Sequence, residues 1–160
     1  MAKRSKSVLR VETALREAGL ATKVVELEAS TRTAELAAQA IGTPLGTIVK
    51  TLVFLVEEQP VLALVAGDRR ASGTKIAREM GAGQARLASA DEVRAITGFA
   101  VGGVPPLGHD SPTTVLVDES LTRFQTVHAA AGSPHAVFPI RLDELMRVTQ
   151  GHLCDIVEDQ

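Results

Sequence analysis

Lys50 stands inside a run of apolar residues, Ile48 to Val56, whose composition predicts a β-strand. Side chains alternate between the two faces of a strand, so Lys50 shares one face with Leu52 and Phe54, and the other face is apolar too. A lysine in such a run costs free energy unless its ammonium reaches water or an anion. Two interpretations follow: the side chain extends to solvent from a strand end, or it binds a negatively charged ligand.

A second feature is the segment FAVGGVPPLGH, residues 99–109, which combines adjacent glycines with adjacent prolines. Glycine lets a backbone approach a ligand closely, and proline stiffens the path. Backbone N–H groups fixed in this way could stabilise a carbonyl oxygen that becomes negative during ester hydrolysis. The alternative is an ordinary structural turn. Pro105 and Pro106 have no N–H, so the candidate donors are the N–H groups of Gly102, Gly103 and Val104.

Several other kinds of chemistry lack a pattern in this sequence. The four histidines and Cys154 do not show metal-ligand spacing, so we expect no metal site. No G-x-S-x-G segment predicts a serine nucleophile. The glycines at 42–46 and 81–83 lack the residues that complete a phosphate loop or a dinucleotide fingerprint. We therefore expect neither a covalent nucleophile nor a cofactor.

Charge and composition limit the partners. The 160 residues have a formal charge of −2 and only 2% aromatic residues, so there is neither a global basic field nor a stacking platform, and we expect no DNA partner. A local basic cluster is either a solvated surface or a phosphate contact. It consists of Arg69, Arg70, Lys75 and Arg78.

The apolar runs are too short to cross a membrane, there is no secretory signal pattern, and a lone cysteine cannot form an internal disulfide. We expect a cytoplasmic protein without a membrane partner. The length suits a single domain over residues 1–160.

Helices and strands are interspersed along the chain. Helical spacing predicts a helix around residues 8–18, and further helices are predicted over 34–41, 74–80 and 142–148. Ser89 and Glu92 form a capping box for another, which ends near Gly98. Strands are predicted over 48–56, 61–66, 113–117, 124–130 and 136–140, the first two joined by the four residues 57–60. The predicted fold class is α+β around a largely antiparallel or mixed sheet.

Four segments, in order and spacing, resemble the YbaK and ProX family, which includes free-standing proteins and the editing domain inserted in prolyl-tRNA synthetases. The resemblance covers about residues 34–145 and implies a mixed, largely antiparallel, barrel-like sheet flanked by helices. The segments are GTPLGTIVKTLVF with Lys50, VGGVPPLGH, VDESL at 117–121 and AAAGSPHAVFPI at 129–140.

The resemblance also implies an activity, the deacylation of mischarged tRNA that carries a small amino acid (alanine, cysteine, serine, threonine or 2-aminobutyrate), on tRNA for proline or cysteine. Its partners would be the aminoacyl-tRNA acceptor end and an aminoacyl-tRNA synthetase. Lys50 would contact the phosphate and ribose of that end, and the loop Gly102 to Pro106 would position the carbonyl. Gly132, Ser133 and His135 would shape the amino-acid pocket.

We consider two alternatives. The first is a non-catalytic module on the same fold that binds the RNA end, or regulates a synthetase, without turnover; Arg69 and Arg70 would contact phosphate in either case. The second is an interaction domain docked on a synthetase, which predicts an exposed apolar patch and indifference to changes at Lys50.

Overall fold

A computed structural model describes residues 4–111 and 113–160 of the chain. No helix in these residues is long and apolar enough to cross a membrane. The helices are α1 Lys6–Glu17, α2 Ala34–Ile41, α3 Gly73–Glu79, α4 Ala90–Thr97 and α5 Leu142–Thr149. The strands are β1 Val25–Glu26, β2 Ile48–Val56, β3 Gln59–Ala66, β4 Ala85–Leu87, β5 Thr114–Asp118, β6 Thr126–Ala130, β7 Ala136–Arg141 and β8 His152–Cys154.

The eight strands form a single mixed sheet in the order β1-β7-β6-β2-β3-β5-β8, with β4 paired to β2 beside this path. Four of the strand pairs in the described residues are antiparallel, and three are parallel. The predicted class, a mixed α+β fold with helices around a sheet, is confirmed.

Local sequence signals place the helix ends. The side chain of Thr33 accepts a hydrogen bond from the Leu36 N–H at the start of α2. Ser89 and Glu92 form a complete capping box at the start of α4, as predicted. Gly42 and Gly98 end these two helices in the left-handed conformation that glycine adopts without strain. These signals act over a few residues, so they can be read from the sequence.

The connection between β2 and β3 differs from the prediction. It has two residues, not four, because Gln59 pairs with Val56 and Pro60 with Leu55. Glu57 and Glu58 have φ values of 49° and 67°, the left-handed values that a tight hairpin turn requires at both positions. Such turns usually contain asparagine or glycine, and the acidic pair therefore gave no signal.

Other helix and strand boundaries also differ from the prediction. The strand predicted from residue 124 begins at Thr126, because Glu119–Arg123 form a 3-10 turn that ends at Phe124. Helix α2 and strand β2 have the predicted bounds, and the ends of the other predicted elements differ by at most two residues. Three strands of two or three residues, β1, β4 and β8, were not predicted, because their pairing depends on distant neighbours and not on their own composition.

The sheet is buried on both faces. Alternate residues of β2 enter different cores: Val49 and Val53 pack with α1 and Phe99, while Phe54 and Val56 pack with Ile76 of α3. The sequence prediction that β2 is apolar on both sides is thus confirmed, and Lys50, Thr51 and Leu52 form a partly exposed stretch in the middle of the strand.

Asp118 is a buried polar residue that ties three elements together. It is 0% exposed, and its side-chain oxygens accept hydrogen bonds from the Ser120 N–H at 2.9 Å and the Ile156 N–H at 2.8 Å. The first contact holds the turn after β5, and the second holds the segment after β8. Both N–H groups would lose their acceptor if the side chain were removed.

We expect Asp118→Ala to lower the free energy of unfolding by about 2 to 4 kcal/mol, because two backbone donors are left unsatisfied. Urea denaturation measures this loss. Glu119→Ala, a change at the exposed neighbour, is the matched control and should change stability by less than about 0.5 kcal/mol. Equal stability of the two variants would contradict the anchoring role of Asp118.

Candidate functional site

The sheet opens in the middle of β2. On one edge of this strand, β6 pairs only with Ile48 and Val49, and β4 pairs only with Phe54 to Val56. Between these two partners, residues 50–53 have no strand beside them on that edge. A cleft of about 600 Å³ occupies the gap. This volume lies within the usual range of small-molecule sites.

Seven segments of the described residues line this cleft, which we call the β2 cleft. They are residues 31–35 and 37 before and within α2, residues 48–53 of β2, Gly67 after β3, residues 87, 88, 90 and 93 around the start of α4, the loop residues Val101, Gly102 and Val104, residues 128–130 of β6, and Val137 of β7. Most of the wall is aliphatic. The polar exceptions are Thr31, Arg32, Thr33, Glu35, Lys50, Thr51 and His128.

Lys50 is half-buried in the β2 cleft, and its ammonium donates a hydrogen bond to the backbone carbonyl of Arg69. Partial burial lowers the pKa of Lys50 below its ordinary 10.5; the Glu35 carboxylate opposes that effect, and the nearby Arg70 reinforces it. The ammonium is therefore poorly solvated and has a carbonyl, but not a carboxylate, as its direct partner. Such a cation attracts an anion that enters the cleft.

The turn that carries the Arg69 carbonyl is itself held in place. The Asp68 carboxylate accepts two hydrogen bonds from the Arg123 guanidinium, at 2.9 and 2.7 Å. These bonds lower the pKa of Asp68. Arg123 also stacks over the Phe124 ring, 5.0 Å from its centre. A bidentate pair of this kind fixes geometry as well as charge, so it keeps the Arg69 carbonyl beside Lys50.

The glycine loop presents fewer free donors than the sequence indicated. The N–H of Gly103 donates to the Ala100 carbonyl at 3.1 Å, so it is not available to a ligand. The N–H groups of Gly102 and Val104 have no acceptor among the described residues. Gly102 has a φ of 94°, and a Cβ there would lie 2.7 Å from Cγ of Arg32. The positive φ thus favours glycine here, and a Cβ would also force the exposed Arg32 side chain to shift.

The structure separates several residues that the sequence analysis grouped with Lys50. Gly103 does not line the β2 cleft, and its carbonyl accepts a hydrogen bond from the Gly132 N–H at 2.8 Å. Pro106 lines a different cavity of about 420 Å³ with Leu62 and His109. The loop therefore passes from one cavity to the other.

The predicted pocket residues lie behind the glycine loop, outside the cleft lining. A Cβ on Gly103 would lie 2.7 Å from the backbone nitrogen of Ser133, which shows that this segment supports the loop closely. His135 is exposed, and its Nδ1 is 3.3 Å from the Ala29 carbonyl oxygen. Gly132 and Ser133 thus contact the glycine loop, whereas His135 contacts the segment before α2, and the linear spacing could not distinguish these positions from the cleft lining.

The residues of the predicted basic cluster differ in their charge partners and in their distance from Lys50. Arg69 pairs with its neighbour Asp68 at 3.3 Å, whereas Arg70 is exposed near Lys50. Lys75 binds Asp155 and Asp159 at 2.9 and 2.8 Å, so its charge is neutralised. Arg32, which the sequence analysis did not select, lines the cleft and is exposed. Arg70 and Arg32 are therefore the better placed cations.

Sequence reasoning missed the polar residues on the cleft walls. The hydroxyl oxygens of Thr31 and Thr51 are buried and have no hydrogen-bond partner among the described residues. Each such group costs about 1 to 3 kcal/mol if it stays unsatisfied. Desolvation lowers the pKa of His128 below its ordinary 6.5, which favours the neutral imidazole. Of these polar residues, only Thr51 could have been identified from the sequence, because it directly follows Lys50.

Nucleophile and metal chemistry receive no support from the described residues. Among them, no group of three or more His, Cys, Asp or Glu side chains could hold a metal ion. Cys154 is buried outside the cleft, and burial raises its pKa to about 12. A thiol with so high a pKa is a poor nucleophile at pH 7. The polar groups that the described residues contribute to the β2 cleft are thus two cations, one carboxylate, one imidazole, threonine hydroxyls and backbone donors.

Comparison with known proteins relates the chain to aminoacyl-tRNA editing proteins. A family model described as the aminoacyl-tRNA editing domain matches residues 28–148. The crystal structure of a candidate trans-editing enzyme for prolyl-tRNA synthetase is 45% identical with a TM-score of 0.92, over 98% of this chain and 100% of that one. The uncharacterized protein YwhH of Bacillus subtilis is 40% identical over 123 residues, which are 76% of this chain and 78% of YwhH.

The chain is also similar to part of a synthetase. It is 33% identical to the proline–tRNA ligase of Lactobacillus gasseri over 94 residues, which are 59% of this chain and 17% of the ligase. The similarity thus concerns one short region of that enzyme.

The lowered pKa of Lys50 leads to a stability prediction. A charged lysine whose pKa falls on folding destabilises the fold below its folded pKa, and the penalty shrinks as the pH rises toward 10.5. We expect Lys50→Met to melt above the wild type at pH 7, with a difference that narrows toward pH 10.5. Thermal denaturation at several pH values tests this. Lys23→Met changes an exposed lysine and is the control, for which the difference in melting temperature from the wild type should not depend on pH. A melting temperature of Lys50→Met below that of the wild type at pH 7 would contradict the argument.

Proposed function

Because the chain belongs to the aminoacyl-tRNA editing domain family, we propose that it is a deacylase that hydrolyses the ester of tRNA mischarged with a small amino acid. The observation that carries the proposal is the half-buried ammonium of Lys50, in one cleft with the two unsatisfied amides of Gly102 and Val104. Such a cleft offers a cation for a phosphate and donors for an ester oxygen. The substrate tRNA would be that for proline or cysteine.

In this proposal Lys50 binds the phosphate and ribose of the acceptor end. Its ammonium is desolvated and has only a neutral carbonyl partner, so an incoming phosphate gains a strong electrostatic contact. The exposed cations Arg32 and Arg70 add attraction at the same place. Contacts restricted to this end fit a chain whose formal charge is −2.

The N–H groups of Gly102 and Val104 would then stabilise the carbonyl oxygen of the ester, which becomes negative when water adds. Donors fixed before the reaction need no reorganisation, which makes them effective in a water-poor cleft. The oxygen of a water molecule adds to the carbonyl carbon, and the bond from that carbon to the ribose oxygen breaks. One proton of the water ends on the ribose oxygen, and its hydroxyl stays on the carbon as part of the free carboxylic acid. A ribose hydroxyl or the amine of the substrate would place the attacking water, so no side-chain nucleophile is needed.

The walls of the β2 cleft support selection by size. Ala37, Ala88 and Ala129 contribute small side chains, and part of the 600 Å³ must hold the terminal ribose. A closed pocket excludes a larger side chain by steric clash far more strongly than it rewards one additional methylene, which contributes only about 1 to 3 kcal/mol. Small amino acids would therefore be removed, and larger ones would be retained.

The direct test is a deacylation screen with purified protein on tRNA charged with alanine, cysteine, serine, threonine, 2-aminobutyrate and proline. We expect turnover of at least one small amino acid and much slower hydrolysis of prolyl-tRNA. Lys50→Ala should reduce turnover by at least about 100-fold while the protein stays folded. Lys50→Arg should restore little, because the guanidinium is larger and forked. Binding without hydrolysis of any substrate would instead identify a non-catalytic acceptor-end module.

The two adjacent glycines should respond differently to substitution. Gly102→Ala forces a strained φ and displaces Arg32 near the amide donor, so we expect a larger loss of turnover than of stability. Gly103→Val drives a side chain into the backbone of Ser133, so we expect a loss of several degrees in melting temperature. Melting curves and single-turnover rates for both variants test this difference. A stable, fully active Gly102→Ala protein would remove the loop from the mechanism.

A further inference from the structure

The two ends of the glycine loop are joined by one side chain from α1. The guanidinium of Arg10 donates hydrogen bonds to the carbonyl oxygen of Gly98 at 3.4 Å and to that of Gly108 at 2.9 Å. It also pairs with the Asp110 carboxylate at 2.9 Å. Arginine has several donors in a fixed planar arrangement, so a single side chain holds the start and the end of the loop together.

Two aromatic rings extend this contact into the loop. The Arg10 guanidinium lies over the Phe99 ring, 4.4 Å from its centre, and the ring centres of Phe99 and His109 are 5.9 Å apart. Phe99 is only 1% exposed, so its ring is held by the surrounding core. We call Arg10, Phe99 and His109 the Arg10 cluster. Of the described residues that line the β2 cleft, none belongs to this cluster.

His109 connects the Arg10 cluster to a loop residue next to the cleft. Its Nε2 is 2.6 Å from the Pro105 carbonyl oxygen, and because a carbonyl only accepts, Nε2 carries the hydrogen. Pro105 directly follows Val104, which lines the cleft. The proline ring fixes its own φ and restricts the backbone of the residue before it. The hydrogen bond to Pro105 therefore also limits the orientation of the Val104 backbone.

The rest of the loop is held by other groups. The Gly103 N–H donates to the Ala100 carbonyl at 3.1 Å, and the Gly103 carbonyl accepts from the Gly132 N–H at 2.8 Å. Among the described residues, the hydrogen bonds to residues 104–109 come from Arg10 and His109. This second half of the loop therefore depends on the Arg10 cluster for its polar contacts.

We infer that Arg10 and His109 are positioning residues, which act through the loop to hold the Val104 N–H where it meets the carbonyl oxygen of the ester. The inference rests on the proposed deacylase function. A donor stabilises the developing charge only at about 2.7 to 3.1 Å from that oxygen. A displacement of about 1 Å costs about 100-fold in rate. Because neither residue lines the cleft, their loss should lower the rate of hydrolysis and not the binding of substrate.

The first test measures kcat and KM on the best substrate of the panel above. His109→Leu removes the donor to Pro105, and we expect kcat to fall about 10-fold or more while KM stays within about 2-fold. His109→Gln keeps an N–H donor and should restore most of kcat. Arg10→Met should resemble His109→Leu, and Arg10→Lys should restore little, because an ammonium cannot reproduce the planar set of donors.

Two control variants separate positioning from stability. Ile76→Ala leaves a cavity in the core that contains Phe54 and Val56, and it should lower the melting temperature without lowering kcat below the unfolding transition. His152→Leu changes an exposed histidine outside the cleft and should leave kcat unchanged. Melting curves give the temperature at which every variant is folded, and kcat is compared there.

A double-mutant cycle tests whether His109 acts through the loop. Gly102→Ala disturbs the same loop, so the loss of kcat in the double variant with His109→Leu should be much smaller than the product of the two single losses. Losses that multiply would show that His109 acts independently of the loop and would overturn the inference.

Other outcomes would also overturn it. Unchanged kcat in folded His109→Leu and Arg10→Met proteins would do so and leave the deacylase function intact. An equal loss of kcat in Ile76→Ala, or no recovery in His109→Gln, would show that the cluster only supports the fold. If the wild type hydrolyses no ester in the panel, the deacylase function fails and the inference fails with it.

Discussion

Strand β2 determines most of this structure, because its two edges and two faces have different neighbours. One edge pairs with β3 from Val49 to Val56, and the other pairs with β6 at one end and with β4 at the other. The two faces enter two separate cores. The strand is thus held firmly at both ends while residues 50–53 remain open to the cleft. A gap in a sheet with this much support is a rigid place for a binding site.

The electrostatics of the cleft follow from that arrangement. A lysine in an open, half-buried stretch of strand loses solvation, and the structure compensates with a single backbone carbonyl and not with a carboxylate. A carboxylate as direct partner would neutralise the ammonium and weaken its attraction for phosphate. The nearby Asp68 is instead bound by Arg123. The charge of Lys50 is therefore held in position while it remains available.

The sequence allowed accurate prediction of features that depend on near neighbours. The ends of α2 and α4, the apolar character of β2 and the placement of Lys50 within it depend on a few adjacent residues. Features that depend on the order of strands could not be predicted. His128 reaches the cleft because β6 lies parallel to β2, and Ala88 does so because β4 pairs with the far end of that strand. Pro106, only two residues from Val104, lies in another cavity because the loop crosses between the two. Spacing along the chain contains no information on which side of the sheet a loop residue occupies.

The parallel pairing of β2 with β6 also affects how the protein folds. Ile48 lies beside His128, so eighty residues of chain separate two neighbours in the sheet. Contacts at such separation form slowly, because the chain loses the entropy of a large loop before the contact contributes any stability. The hairpin of β2 and β3, in contrast, joins residues that are almost adjacent. Folding should thus proceed from this hairpin outward, and the cleft wall that contains His128 should be among the later parts to form.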